Sequence, residues 1–573
     1  MTLLDETPSS GLLQRVWRNA GFICVALVLV YCVVHAFDPP RLNWGDSMSD
    51  YNVMTSGRNF QKYGFLHLHL TPLLLDPAFT RSFEPVFVYT HYPQLPDLMN
   101  GVLRTVFHMD SLVQFRFVAL AFSFGALFFI YQLLVAYWAR PTAQMALALW
   151  VVNPLWIQHA DYLHHAPYGA FFGFGSAYLL MRALRDERRG FLWASGGFLF
   201  FTVIASYDYW FFAPLLLAMV ALAHYRRVAS GALIRTLAFL ALFAIAGLAF
   251  KIGTNVWGLG GIDAWLRDLR FQFAERGTDK ITRTSYGRGV VPTAMGRVER
   301  FFTLLLLPIA LFWASLPLLR RRWSSPLINA ASALPNPWWL VVAAFPFLYL
   351  FVEIWVAQYY PGLLVLPFYA VACAAFVAVL LATGRSGRLV GAVLFGALLL
   401  NSVYEDARFK KAFFEPSTIR TMSAQLDSVA GPGQQILINH VFDAAYRYYF
   451  NRNTVAVVLF PPRVANIALA SFADGRQHPR SGGPDGAIFV QHKHIQDELY
   501  DKGYYYIFGR SGLWDLWGNP EKHRDVVDVL ITERDSTIMS YVSRMGRKVY
   551  DAPDYAIWRI LPAAPDSAPA LVP

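Results

Sequence analysis

The chain has 573 residues, of which 56% are hydrophobic, 16% aromatic and only 15% charged, and its mean hydropathy is +0.36. An ordinary soluble chain carries about a quarter charged residues, so a water-soluble globular protein is excluded. A net charge of +11 would suit nucleic acid in amount, but the arginines fall at alternate ends of apolar segments, which is a membrane-topology signal and not a nucleic-acid footprint.

The apolar residues come in blocks long enough to cross hydrocarbon as helices; residues 20–37 and 354–384 contain no Asp, Glu, Lys or Arg. Predicted helices run near 20–37, 113–138, 142–157, 167–184, 191–206, 209–224, 232–250, 301–319, 335–353, 361–383 and 388–404. The first, with Arg15 and Arg18 before it and no small-residue cleavage site after it, reads as a retained span and not a signal peptide. Cys24, Cys32 and Cys373 all lie inside apolar blocks, which argues against both a disulfide framework and a zinc site.

One alternate set of short loops holds Arg140, Arg182, Arg185, Arg188, Arg189, Arg226, Arg227, Arg320, Arg321, Arg322, Arg385 and Arg388. The opposite loops, around Asp161, Asp208 and 358–360, hold no Lys or Arg. By the positive-inside rule the N-terminus is cytoplasmic, and about eleven spans leave the C-terminus outside. Two long outer loops follow, about 38–112 and 251–300. Each contains an amphipathic stretch, 97–107 (DLMNGVLRTVF) and 262–273 (IDAWLRDLRFQF), suited to an interface.

Beyond about residue 404 the pattern changes. Predicted strands at 435–439, 454–460, 504–508, 526–531 and 556–560 alternate with a helix at 443–450, giving a small extracytoplasmic α/β domain over 405–573. The Gly/Pro/Ser-rich segment 475–486 reads as a surface loop. This domain has no GxGxxG, no phosphate loop and no nucleophile elbow. Its position alone suggests acceptor binding or capping of a cavity.

The first outer loop opens Asn43-Trp-Gly-Asp46-Ser-Met-Ser-Asp50-Tyr51. If a helix begins here, both carboxylates lie on one face; the plainer reading is an N-cap at Asp46 and a solvated Asp50. Then come Ser56-Gly-Arg58-Asn59-Phe60, Lys62, Tyr63-Gly64 and a turn, His91-Tyr-Pro93-Gln-Leu95. A short outer loop holds His159, Asp161, His164 and His165, and the next holds Asp208 between Tyr207 and Tyr209. Acids at membrane depth are functional suspects by default. By residue type His159, Asp161, His164 and His165 would suit a metal, though their spacing matches no strong signature. Gln358-Tyr359-Tyr360-Pro361 precedes a late span; its aromatics suit interfacial anchoring or ligand contact.

The order and sidedness of these motifs resemble the membrane-embedded glycosyltransferases of the GT-C class, the protein O-mannosyltransferases and lipid A aminoarabinose transferases among them. The usual pattern there is an Asp-Glu pair, an Ala-Arg-Asn-like stretch, a Gly, a His-Pro-Pro-Leu turn and a late tyrosine-rich turn. Here Asp50 stands at the second acid, Ser49 replaces the first, and the turn keeps His91 and Pro93. The resemblance covers most of residues 1–400. It implies a GT-C-like transmembrane domain over 1–404 and a sugar donor on a polyprenyl phosphate, in the inner (plasma) membrane. The acceptor would be a lipid, glycan or protein hydroxyl outside the cytoplasm; membrane lipids are the other partners, and nucleic acid is not one.

On that resemblance Asp50 is the general base, with Asp46 as the alternative. Arg58, Lys62, His91, Arg270, Arg288, Tyr359 and Tyr360 would bind the donor, its phosphate gripped by cations, with Lys251 and Arg283 as further candidates. Asp161, His164, His165 and Asp208 would face the acceptor. No cofactor is expected; a divalent metal is not needed, because a monophosphate leaving group has no diphosphate to balance. Two alternatives stand beside this. One is an oligosaccharyltransferase or ligase using a diphosphate-linked glycan, which would favour a metal and a closer acidic pair. The other is a lipid or polysaccharide transporter, which would favour charges within the spans and internal repeats.

Overall fold

The structure, a computed structural model, describes residues 12–38, 47–74, 88, 90, 93–224, 230–276, 301–350, 360–408, 417–431, 436–439, 443–450, 454–456, 487–493, 539–540, 542–544 and 546–560. The chain is mostly helical and passes the membrane repeatedly. Helix α1 (Leu12–His35) leads to α2 (Ser47–Tyr63) and α3 (Leu95–Phe107) in the first long loop, then to α4 (Leu112–Tyr137). A capping box starts α4: Ser111 Oγ accepts from the Gln114 amide at 3.3 Å while Gln114 Oε1 accepts from the Ser111 amide at 3.0 Å.

The helix expected over 142–157 is instead two, α5 (Arg140–Val151) and α6 (Pro154–His159). The break lies at Asn153-Pro154: proline supplies no amide to continue the ladder, and the Asn153 carboxamide takes over, accepting from the Leu155 amide at 3.0 Å. Then follow α7 (His165–Asp186), α8 (Arg189–Ala205), α9 (Asp208–Ala223) and α10 (Ser230–Gly258). Here the sequence reading is corrected, because α10 runs two turns past its expected end at 250 and takes Lys251 into the helix. The amphipathic stretch of the second outer loop is α11 (Ile262–Arg276).

Beyond residue 301 stand α12 (Leu306–Arg322), the short α13 (Pro326–Ser332), α14 (Trp338–Leu350), a 3-10 turn at Tyr360–Leu364, α15 (Leu366–Ala382) and α16 (Arg385–Arg408). Four described segments, Leu112–Tyr137, Gly231–Gly258, Gly362–Ala382 and Arg385–Arg408, are long and apolar enough to span a membrane by length and composition, and three shorter helices are also apolar. α15 is the core helix, almost wholly buried. By contrast α10 and α16 present Leu242, Ile245, Val393 and Leu400 outward, as helices facing lipid do.

The C-terminal part comprises α17 (Ser417–Val429), β1 (Ile436–Ile438), α18 (Asp443–Phe450), β2 (Thr454–Ala456), β3 (Ala487–His492), β4 (Gly546–Asp551) and β5 (Tyr555–Ile560). The sheet order is β2-β1-β3-β5-β4, parallel among the first three and antiparallel at the β4–β5 hairpin. The expected strands at 504–508 and 526–531, and the loop at 475–486, lie outside the described residues; β3, β4 and α17 were not expected.

Candidate active site

Helix α2 carries Asp50 against α4 and the 159–165 turn. Its seat is apolar, built from Val53 and Met54 of α2, Phe115 and Ala119 of α4, and Leu163 of the 159–165 turn. Asp50 is buried, and its Oδ1 accepts from the Leu163 amide at 2.9 Å. Such a bond orients the carboxylate. Next to it, Tyr51 meets Tyr449 of α18, hydroxyl to hydroxyl at 3.5 Å; burial, with Tyr449 second, holds the Tyr51 phenol well above its usual value.

α2 lies close on α3 because two glycines permit it. A Cβ on Gly57 would stand 1.8 Å from Asn100 Oδ1, and one on Gly101 2.7 Å from the Phe60 Cβ. Ser56 and Asn59 donate to the Leu73 carbonyl at 3.3 and 3.0 Å, tying the helix to the chain that follows it.

The turn opposite Asp50 is fastened by polar bonds. Arg116 of α4, 2% exposed, donates to the carbonyls of Ala36 (3.1 Å) and Asp38 (2.7 Å) and pairs with Asp161 at 3.8 Å. Ser123 donates to the Ala160 carbonyl at 2.7 Å. His165 Nε2 meets Asp208 Oδ2 at 3.1 Å, while its Nδ1 meets His164 Nδ1. Asp208 accepts from His165 Nε2–H, which orients the ring toward His164. Burial, and then His165, keep His164 well below the ordinary imidazole value and so uncharged. The 3-10 turn at Tyr360–Leu364 packs on α6, where a Cβ on Gly362 would come 2.8 Å from Leu155. That places the late turn beside the 159–165 turn.

The remaining sequence candidates are distributed unevenly. Arg58 lies 4.2 Å over the Tyr448 ring and donates to the Tyr448 carbonyl at 2.9 Å, so it joins α2 to the C-terminal domain. Lys62 is exposed, 4.8 Å from the Tyr63 ring, and Arg270 is exposed on α11. Asp46, His91, Arg283, Arg288 and Tyr359 lie outside the described residues, as does the Tyr360 side chain. Among the described residues no three His, Cys, Asp or Glu side chains come together as a metal-ligand set.

The sequence reading passed over three groups. Arg116 sits just inside an apolar block and read only as the start of a span. Tyr448 and Tyr449 lie in a helix of the other domain, and nothing in their order announces a contact with Asp50's neighbour. Asp97 of α3 reads as an ordinary first-turn acid, yet it is 1% exposed. Burial pushes it up to about 7, against the pull of Lys251.

The helical bundle with its C-terminal α/β domain has counterparts among solved structures. The structure is similar to that of the Archaeoglobus fulgidus oligosaccharyltransferase in its apo form, with a TM-score of 0.53 over 86% of this chain and 72% of that one, at 13% identity. Weaker likenesses are to ArnT from Cupriavidus metallidurans. In the apo state the TM-score is 0.35 at 13% identity, covering 84% of this chain and 94% of that one. Bound to undecaprenyl phosphate it is 0.37 at 11% identity, covering 94% and 97%. No family model and no curated protein matches the sequence.

Proposed function

We propose that the chain transfers a sugar from a polyprenyl-phosphate donor to an acceptor hydroxyl outside the cytoplasm, with Asp50 as general base. The observation that carries this is the placing of Asp50: a buried carboxylate on an outer-loop helix, held by the Leu163 amide at 2.9 Å, against a turn bearing Asp161, His164 and His165. A carboxylate so held can take the acceptor's proton as the oxygen attacks the anomeric carbon, while the lipid phosphate departs. Asp161, His164, His165 and Asp208 form the acceptor side, with Arg116 fixing Asp161. Arg270, Lys62 and the loop cations at Arg283 and Arg288 serve the donor phosphate together with His91 and the 359–360 tyrosines, and no metal takes part.

The topology that goes with this has about eleven spans in the inner membrane, a cytoplasmic N-terminus, a transmembrane domain over 1–404 and an extracytoplasmic domain over 405–573. Contact between α18 and α2 supports a role for that second domain in closing the site.

The test is the Asp50→Asn variant assayed in detergent for transfer of radiolabel from polyprenyl-phosphate sugars. A loss of about 10²–10⁴-fold is expected. Activity near wild type removes the proposed base. Transfer without any gradient separates this reading from a transporter.

A further inference from the structure

The first turn of α2 is gripped from two directions. On one side Asp50 Oδ1 accepts from the Leu163 amide at 2.9 Å. Tyr51 stands about 100° further round the helix. It is 1% exposed, and two tyrosines of the C-terminal domain lie against it. Its ring is 5.6 Å from that of Tyr448 and 5.6 Å, edge-on, from that of Tyr449, and the Tyr51 and Tyr449 hydroxyls meet at 3.5 Å.

Arg58 falls on the same face as Tyr51, because seven residues make almost two turns of helix. It lies 4.2 Å over the Tyr448 ring and donates to the Tyr448 carbonyl at 2.9 Å. Helix α18 therefore docks along a stripe of α2 that starts beside Asp50. Tyr448 also packs on the cluster of Val53, Met54, Phe115, Ala119 and Leu163, the last of which holds Asp50.

α18 is itself braced. The Tyr449 carbonyl accepts from Ser423 Oγ of α17 at 3.2 Å, and Arg420, one turn earlier on α17, lies 5.7 Å from the Tyr449 ring. Tyr446 and Phe450, one turn apart on α18, are buried with their rings 5.3 Å apart. The middle of α2 is fixed separately, by Ser56 and Asn59 on the Leu73 carbonyl and by Gly57 against Asn100. Its first turn depends on Asp50 and Tyr51, and helix ends fray where they are not tied down.

We propose that Tyr448 and Tyr449 are positioning residues for Asp50: α18, docked on Tyr51 and Arg58, sets the first turn of α2 so that the carboxylate meets the Leu163 amide, and undocking breaks that bond. The second domain thereby completes the site instead of only covering it. The inference rests on the reading of Asp50 as base and deepens it, while its first readout needs no catalysis.

The test uses the purified full chain in detergent. Site-resolved hydrogen exchange at the Leu163 amide reports the bond to Asp50, and the Ser206 amide, bonded to the Thr202 carbonyl at 3.1 Å at the end of α8, is the internal control. Tyr449→Leu, alone and with Tyr448→Leu, should speed exchange at Leu163 by up to about tenfold, as loss of one net hydrogen bond does, and leave Ser206 as it was. Tyr449→Phe, which keeps the ring, should resemble wild type. In transfer of radiolabel from polyprenyl-phosphate sugars, Tyr449→Leu should lower kcat by up to about 10²-fold with KM little changed. In an Asp50→Asn background it should cost nothing further, because it acts through that carboxylate. Unchanged exchange at Leu163 in the double variant overturns the proposal, and so does an equal rise at Leu163 and Ser206, which is general loosening. Equal kcat losses in the two backgrounds overturn it as well. Faster exchange at Leu163 alone, together with full transfer by Asp50→Asn, supports the positioning role and removes Asp50 as base, so the two failures are distinct.

Discussion

Removing the Arg116 guanidinium tests whether the outer turn is held as the structure indicates. Arg116→Met keeps the side-chain stem but deletes two donated bonds, at 3.1 and 2.7 Å, that fasten the end of α1 to α4. It also leaves Asp161, 6% exposed, without the cation 3.8 Å away. Charge-assisted bonds are each worth about 1.5–3 kcal/mol, and removing one partner of a buried pair typically costs about 3–5 kcal/mol. A loss of about 4 kcal/mol is therefore expected. Adding Asp161→Asn should return about 1–3 kcal/mol of that, because a neutral amide does not need the lost cation. Arg116→Lys, which keeps the charge and loses the planar fork, should fall between. The assay is detergent-phase thermal or chemical unfolding with a double-mutant cycle. If Arg116→Met lies within about 1 kcal/mol of wild type, or the two changes simply add, the guanidinium does not organise the turn.

Gly57→Ala should lower the melting temperature by forcing α2 off α3, since the new methyl would meet Asn100 Oδ1, which already accepts from Arg104 Nε at 2.8 Å; overpacking of this kind costs about 1–3 kcal/mol. Gly190→Ala, with nothing within 4 Å of the added carbon, is the silent control. Tyr448→Ala should release the C-terminal domain faster in limited proteolysis, because the ring under Arg58 is lost, whereas Tyr448→Phe should resemble wild type; equal rates for Ala and wild type would refute the docking role. Asp97, an acid raised from 3.8 to about 7, holds its proton more tightly folded than unfolded, so its contribution to stability falls as pH rises from about 4 to about 7, by a few kcal/mol at most. Asp97→Asn should flatten that part of the stability–pH curve, and an unchanged curve would show that the carboxyl is solvated.

The membrane architecture was legible because hydrocarbon imposes a rule that a single sequence can display: long apolar runs with arginines at alternate ends. Helices α3 and α11 were legible through periodicity. The break at Asn153-Pro154 was signalled by the proline, and the expected helix across it gave too much weight to hydrophobicity. The end of α10 was misjudged for the opposite reason. Lys251 reads as the charge that ends a span, but a lysine can lie inside a helix when its neighbours supply anions, and those neighbours, Asp97 and Asp268, are distant in sequence.

The same limit explains the site. Asp50 was found by motif order, but its bond to Leu163 crosses 113 positions, and the Arg58–Tyr448 bond crosses 390. Local pattern has no access to such pairs. In a bundle whose spans are fixed by lipid, the outer turns are left to choose partners by polar bonds alone. Each buried charge there has been met by an opposite charge, a carbonyl or an aromatic face, as Arg116, Arg58 and Lys251 have.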